Sequence, residues 1–263
     1  MDLTVLIDNN CKMNSALLGE FGFSVLLKNE YHKVLFDCGF SDAFIKNAYK
    51  LNLDLADVNE IILSHGHRDH TGGLLRLEAL YRKMIIAGIS LNLKTVITHP
   101  DVFEPKLDDN MENIGFPGDP SKLCDIFDIE YSREPRWITS KLLYLGEIPD
   151  YYRTDYKYKD ETALVYKGEN GLTIITGCSH MGLPNIIEYA RKVTEESRIE
   201  TFIGGIFLNN KTEYKVRELG IYLRDANIKN FYPCHCCDLN SKIVLAEYIK
   251  PKEVYSGLKI VIN

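Results

Sequence analysis

Hydrophobic residues along this chain fall into two kinds of run. Short blocks of Val, Leu, Ile and Phe, bounded by Gly, Asn or charged residues, predict strands over 3–7, 21–27, 33–36, 58–63 and 95–98. Between them, apolar positions recur at helical spacing: Phe44, Ile45, Ala48 and Leu51 behind Ser41, and Leu74, Leu75, Leu77, Ala79 and Leu80 behind Thr71-Gly72-Gly73. Further on, 162–166 and 172–176 predict a hairpin turning through 168–171. A helix over 184–193, a strand over 201–208, a helix over 215–226, a helix over 242–248 and a last strand over 258–262 follow. The chain thus opens as a meander and then alternates strand with helix. That order suits an α/β sandwich with helices outside two packed sheets.

One stretch resists this reading. Residues 101–159 hold Pro105, Pro117, Pro120, Pro135 and Pro149, scattered charge, and only brief apolar runs such as 141–145. It is expected to be an insertion or lid within a single domain spanning 1–263, since no linker, low-complexity tract or repeat marks a boundary.

The segment ILSHGHRDHTGGL, 62–74, changes the picture from fold to chemistry. It places His65, His67, Asp69 and His70 within six residues, directly after a predicted strand and before a predicted helix. Imidazole nitrogens and a carboxylate are the ligand set of zinc or a similar divalent metal. His65 and His67 are two apart, so in extended chain they point the same way and can share one ion. Asp69 and His70 come after the turn and can face a second. His180 and His235 are the candidates to complete the set, because each sits where an apolar strand gives way to a loop.

Composition narrows the partners. In 263 residues, a 45% hydrophobic content can supply a sizeable core. The net charge of -6, with no basic run interleaved with aromatics, argues against nucleic acid. Asp2 stands where an export signal would be positive, and no stretch approaches the roughly 20 apolar residues that cross a bilayer. A cytoplasmic protein without a membrane partner is expected. Seven cysteines, an odd number, suit a reducing compartment better than a disulfide framework.

H-x-H-x-D-H after a strand, followed by T-G-G, resembles the metallo-β-lactamase superfamily, and the resemblance runs over nearly the whole chain. FDCG at 36–39 looks like its F-D-T-G turn, GCSH at 177–180 is similar to its fourth-histidine motif, and PCHC at 233–236 to its last. The succession of SHGHRDHTGGL, THP at 98–100, SREP at 132–135, GEIP at 146–149, GCSH and PCHC is similar to one branch. That branch is related to 7,8-dihydropterin-6-methyl-4-(β-D-ribofuranosyl)aminobenzene-5′-phosphate synthase.

The resemblance implies a four-layer αββα fold and two divalent ions, zinc in the first place and iron or manganese as alternatives. It implies that His65, His67 and His180 hold one ion and Asp69, His70 and His235 the other, with Asp37 supporting the metal loop and Asp69 serving catalysis. The implied activity is hydrolysis of a small ester, phosphoester or related substrate by a metal-bound hydroxide. Two other classes stay open: a transferase like the synthase, and a metal- or ligand-binding sensor without turnover. His99, Asp160 and Glu161 are candidate substrate contacts, and Tyr151, Tyr152, Tyr156 and Tyr158 a candidate aromatic wall. Cys234 and Cys236 are alternative thiolate ligands. The expected partner is a small molecule, with homo-oligomer formation open.

The chain also departs from the family pattern. Many members place a bridging Asp or Cys between the fourth and last histidines, yet 204–208, Gly-Gly-Ile-Phe-Leu, offers no such ligand. Phe207 stands where the branch often has a histidine, and Cys237-Asp238 replaces its usual Thr-Gly.

Overall fold

The computed structural model describes residues 1–154 and 156–263; Asp155, within the stretch read as a lid, lies outside the described residues. The chain divides into two compact units, Met1–Ser132 with Tyr255–Ile262, and Arg133–Val254 with Asn263.

The first unit is built on a sheet that, among the described residues, has seven strands. Strands β1 (Asp2–Ile7), β2 (Ser24–Lys28) and β3 (Lys33–Phe36) form the expected antiparallel meander. From β3 onward, β4 (Glu60–Ile62), β5 (Lys94–Thr98) and β6 (Phe127–Tyr131) continue in parallel. Helices α1 (Ala43–Lys50), α2 (Arg68–Thr71) and α3 (Leu74–Ile86) lie in the connections. Their apolar stripes supply Phe44, Ala48, Leu74, Leu77 and Tyr81 to a core shared with Leu6, Leu26, Leu35, Ile61 and Val96. The Tyr81 hydroxyl, buried with its ring, donates to the Leu55 carbonyl at 2.7 Å, which satisfies the one polar atom it brings into that core. Parallel order sends the chain out at the carboxyl ends of β3, β4 and β5, and there stand Asp37, the 64–70 loop and His99.

The second unit carries the sheet β7 (Arg136–Trp137), β8 (Leu142–Tyr144), β9 (Ala163–Lys167), β10 (Leu172–Thr176), β11 (Ile199–Gly205) and β12 (Asn230–Cys234), in the spatial order β12-β11-β10-β9-β8-β7. The predicted hairpin is present, with Leu172 opposite Lys167 and Thr176 opposite Ala163. From β10 to β12 the strands are parallel, connected through α4 (Leu183–Thr194) and α5 (Glu213–Asp225). Helix α6 (Leu239–Leu245) follows β12, and β13 (Lys259–Val261) returns to pair with β1 of the first unit. Pro233 lies within β12, and the place of β12 at the sheet edge makes its missing N–H tolerable. Register places Thr176 beside Gly204 and Gly205 beside Cys234, so the loops bearing His180, Phe207 and His235 leave the sheet side by side.

The stretch 101–159, expected as an insertion or lid, also forms strands. It supplies β6 at the edge of the first sheet and β7 and β8 at the edge of the second. β6 and β7 are short and largely exposed or half-exposed, so their hydrophobic signal along the sequence is weak, whereas β8 is fully buried.

Candidate metal-binding site

Asp37 organises the first unit's histidines. It follows β3 in a left-handed conformation, φ 57°, and its side chain is fully buried. The Ser64 backbone N–H donates to Asp37 Oδ1 at 2.7 Å, and the Ser64 hydroxyl donates to Oδ2 at 2.6 Å. With its proton so committed, Ser64 Oγ accepts from His65 Nδ1 at 2.9 Å. His70 Nδ1 lies 2.7 Å from Asp37 Oδ2 and donates to it. Both contacts engage Nδ1 and leave Nε2 as the nitrogen a metal takes when Nδ1 is tied to a supporting group. The rings are already gathered: the His65 centroid is 4.6 Å from that of His67 and 4.3 Å from that of His70. Asp69 Oδ2 lies 3.4 Å from His70 Nε2. Burial pushes the His70 ring toward neutrality, but the carboxylates of Asp69 and Asp37 outweigh it and raise its pKa to about 10 in the metal-free protein.

The loop carrying these residues is pinned along its length. Cys38 N–H donates to the His70 carbonyl at 2.7 Å, Phe23 N–H to the Asp69 carbonyl at 3.3 Å, and Arg68 N–H to the Ile114 carbonyl at 2.8 Å. His67 starts α2, its carbonyl accepting from the N–H groups of His70 and Thr71. The glycines of the motif answer to close packing. A Cβ on Gly66 would meet the Val102 carbonyl oxygen at 2.0 Å, and one on Gly73 the Cys38 carbonyl oxygen at 2.0 Å.

In the second unit His180 is held at both backbone and ring. Glu161, buried at the start of β9, accepts from the His180 N–H at 2.8 Å and from the Met181 N–H at 2.7 Å. The imidazole stacks on Tyr156, centroids 4.5 Å apart at 11°, and meets Phe207 at 4.2 Å on a 55° tilt. His235 follows β12 with φ 48° and is buried. Between them stands a residue the motif search passed over: Cys178 Sγ is within 4.8 Å of a ring nitrogen of His180 and within 4.8 Å of one of His235. The signal was available in GCSH, but a lone thiol two residues before a histidine reads first as a buried apolar group.

With this arrangement in view, comparison with known proteins is informative. The sequence profile of the Metallo-beta-lactamase superfamily matches residues 17–91, the span that holds the FDCG turn and the histidine loop. The crystal structure of Tm1679, described as a metal-dependent hydrolase of the beta-lactamase superfamily, superposes with a TM-score of 0.84 at 27% identity, covering 100% of this chain and 99% of that one. The chain is similar to the metallo-β-lactamase superfamily in sequence over 17–91 and in fold over its length. Its mixed α/β fold of two sheets with helices is the metallo-β-lactamase fold. Two curated relatives extend the likeness. An uncharacterized protein of Methanocaldococcus jannaschii is 27% identical over 260 residues, 93% of this chain and 94% of its own. The 7,8-dihydropterin-6-methyl-4-(beta-D-ribofuranosyl)-aminobenzene-5'-phosphate synthase of the same organism is 24% identical over 276 residues, 93% of this chain and 90% of its own.

The remaining site candidates of this metallo-β-lactamase-fold chain fall differently. His99 is fully buried at the end of β5, where its Nδ1 accepts from the Asp101 N–H at 3.1 Å in a local turn. Asp160 is fully buried as well. Glu161, a candidate substrate contact, accepts from the backbone N–H groups of 180 and 181, which need acceptors where the loop enters α4. Cys236 donates its thiol proton to the Cys178 carbonyl at 3.3 Å and accepts from the Phe207 N–H at 3.2 Å. Asp238, which replaces the branch's glycine, caps α6 by accepting from the Ser241 N–H at 2.7 Å, and this hydrogen bond lowers its pKa. Among the described residues no helix is long and apolar enough to cross a membrane.

Proposed function

We propose that this protein is a metal-dependent hydrolase of a small ester, phosphoester or related bond. In this reading two divalent ions, zinc in the first place, are held by His65, His67 and His180 and by Asp69, His70 and His235. The observation that carries it is the Asp37 network. One buried carboxylate ties down His70 Nδ1 directly and His65 Nδ1 through Ser64, so Nε2 is the nitrogen each ring has for an ion, His70 on losing its second proton. Buried imidazoles with a neighbouring carboxylate fit zinc by donor chemistry. Bound there, such ions would make a water acidic enough to attack near neutral pH and would polarise the bond to be cleaved. The likeness to Tm1679 over the full length supports the same reading.

The chain's own residues then have distinct tasks. In this reading Asp69 orients an attacking water and carries a proton toward the leaving group, and the part-exposed position of its side chain beside His70 supports that role. Tyr156 and Phe207 cover two sides of the His180 ring with apolar surface and exclude water there. A cytoplasmic setting belongs to this proposal, and the odd number of cysteines, seven, supports it.

Metal-replete protein should carry about two ions per chain and turn over generic phosphodiesters or esters, and His67→Ala should lower that turnover by about 100-fold or more. A loaded protein inert toward a broad panel of such substrates would sink the proposal. A second reading, synthase-like transfer, draws on the likeness to the M. jannaschii synthase over nearly the whole chain. Incubation with a pterin diphosphate and an aminobenzene ribose phosphate decides it, and condensation there would displace hydrolysis as the function.

A further inference from the structure

We infer that Cys178 is a metal ligand, its thiolate set between His180 and His235 and shared by the ions those two histidines serve. This rests on the metal-dependent reading above and adds a donor to it. Two observations carry the assignment. The first is position: Cys178 Sγ lies within 4.8 Å of a ring nitrogen of each histidine, the separation expected of donors around common ions. Cys178 comes just past the end of β10, and the left-handed Ser179, φ 59°, bends the chain between it and His180.

The second observation concerns 204–208, where a bridging residue would be sought in the sequence. That segment is pressed against the Cys178 backbone. Gly205 N–H donates to the Gly177 carbonyl at 3.0 Å, and the Gly205 carbonyl accepts from Ser179 Oγ at 2.6 Å and Thr176 Oγ1 at 2.9 Å. A Cβ on Gly205 would meet the Gly177 carbonyl oxygen at 2.3 Å, the Cys236 Sγ at 2.7 Å and the Cys178 Cα at 3.0 Å. A bridging side chain has no room at 205, which leaves Cys178 as the donor that faces both histidines. Coordination is a proton exchange without redox change: the thiol proton leaves to solvent as the sulfur–metal bond forms. Cys236 is the natural control, since its S–H is directed at the Cys178 carbonyl.

Cobalt(II) loading tests the assignment without recourse to activity. Wild-type protein should show thiolate-to-cobalt charge-transfer absorption in the near ultraviolet. Cys178→Ser should lose it and bind the weaker cobalt equivalent about 100-fold less tightly. Cys178→Asp should recover binding without the absorption, and Cys236→Ser should keep both. Zinc-edge X-ray absorption of the wild type gives the same answer with no variant, through a sulfur scatterer at about 2.3 Å. Absorption that persists in Cys178→Ser, or bound metal with only nitrogen and oxygen neighbours, overturns the inference and leaves the metal-dependent reading standing. A wild type that takes up neither cobalt nor zinc overturns both.

Discussion

A carboxylate buried as fully as Asp37 must find donors for its lone pairs, and it finds Ser64 twice and His70 once. Exchange of one oxygen for an amide nitrogen would set N–H against N–H at one of these contacts. Asp37→Asn should therefore weaken metal binding by about 10- to 100-fold while the protein stays folded. Competition with a chromophoric chelator measures this, and unchanged affinity would deny Asp37 its orienting part. At this scale the sequence is a good guide to donors and a poor guide to where they point. Glu161 stands beside a strand like any solvent-facing acid, and only the folded chain shows both its oxygens on backbone N–H groups. Cys178 is similar: whether a thiol fills space or faces two imidazoles depends on the neighbouring strands, which come from far along the chain.

The elements that position the site were mostly legible, because the parallel strands are buried on both faces and read as unbroken apolar runs. Glu60–Ile62, Leu172–Thr176 and Leu183–Thr194 fall within a residue or two of the positions their patterns predict. The edge strands Phe127–Tyr131 and Arg136–Trp137 were not legible, since half-exposed strands keep too little apolar alternation to separate from a loop. The T-G-G step is an element-scale device of another kind. Gly73 lets the start of α3 lie against the turn after β3, where its N–H donates to the Gly39 carbonyl at 3.0 Å. A methyl group at 73 must displace the Cys38 carbonyl, and Cys38 N–H is what holds the His70 backbone. Gly73→Ala should cost about 2–4 kcal/mol, seen as a lower denaturation midpoint, and should loosen metal binding with it. A variant as stable as wild type would mean that the turn yields without strain.

For the molecule as a whole, each unit has a hydrophobic core of its own. Ions that bind only the folded chain stabilise it by mass action, roughly 4 kcal/mol at a thousandfold excess over the dissociation constant. For a chain of this length that is a rise of about 10 °C in melting temperature. Calorimetry before and after exhaustive chelation should show the difference reverse on adding zinc, and coincident transitions would count against a metal centre. The turns that follow the strands add a separate consequence. Asp37, Ser179, Phe207 and His235 all sit at positive φ, a conformation that L side chains disfavour. Each is a place where glycine would relieve the backbone and asparagine would fit better than a β-branched residue. Selection for heat resistance alone would therefore drift toward glycine at these turns, relieving backbone strain while erasing the groups that give the fold its chemistry. In a library sorted separately for stability and for turnover, these four positions should be where the two rankings oppose each other most.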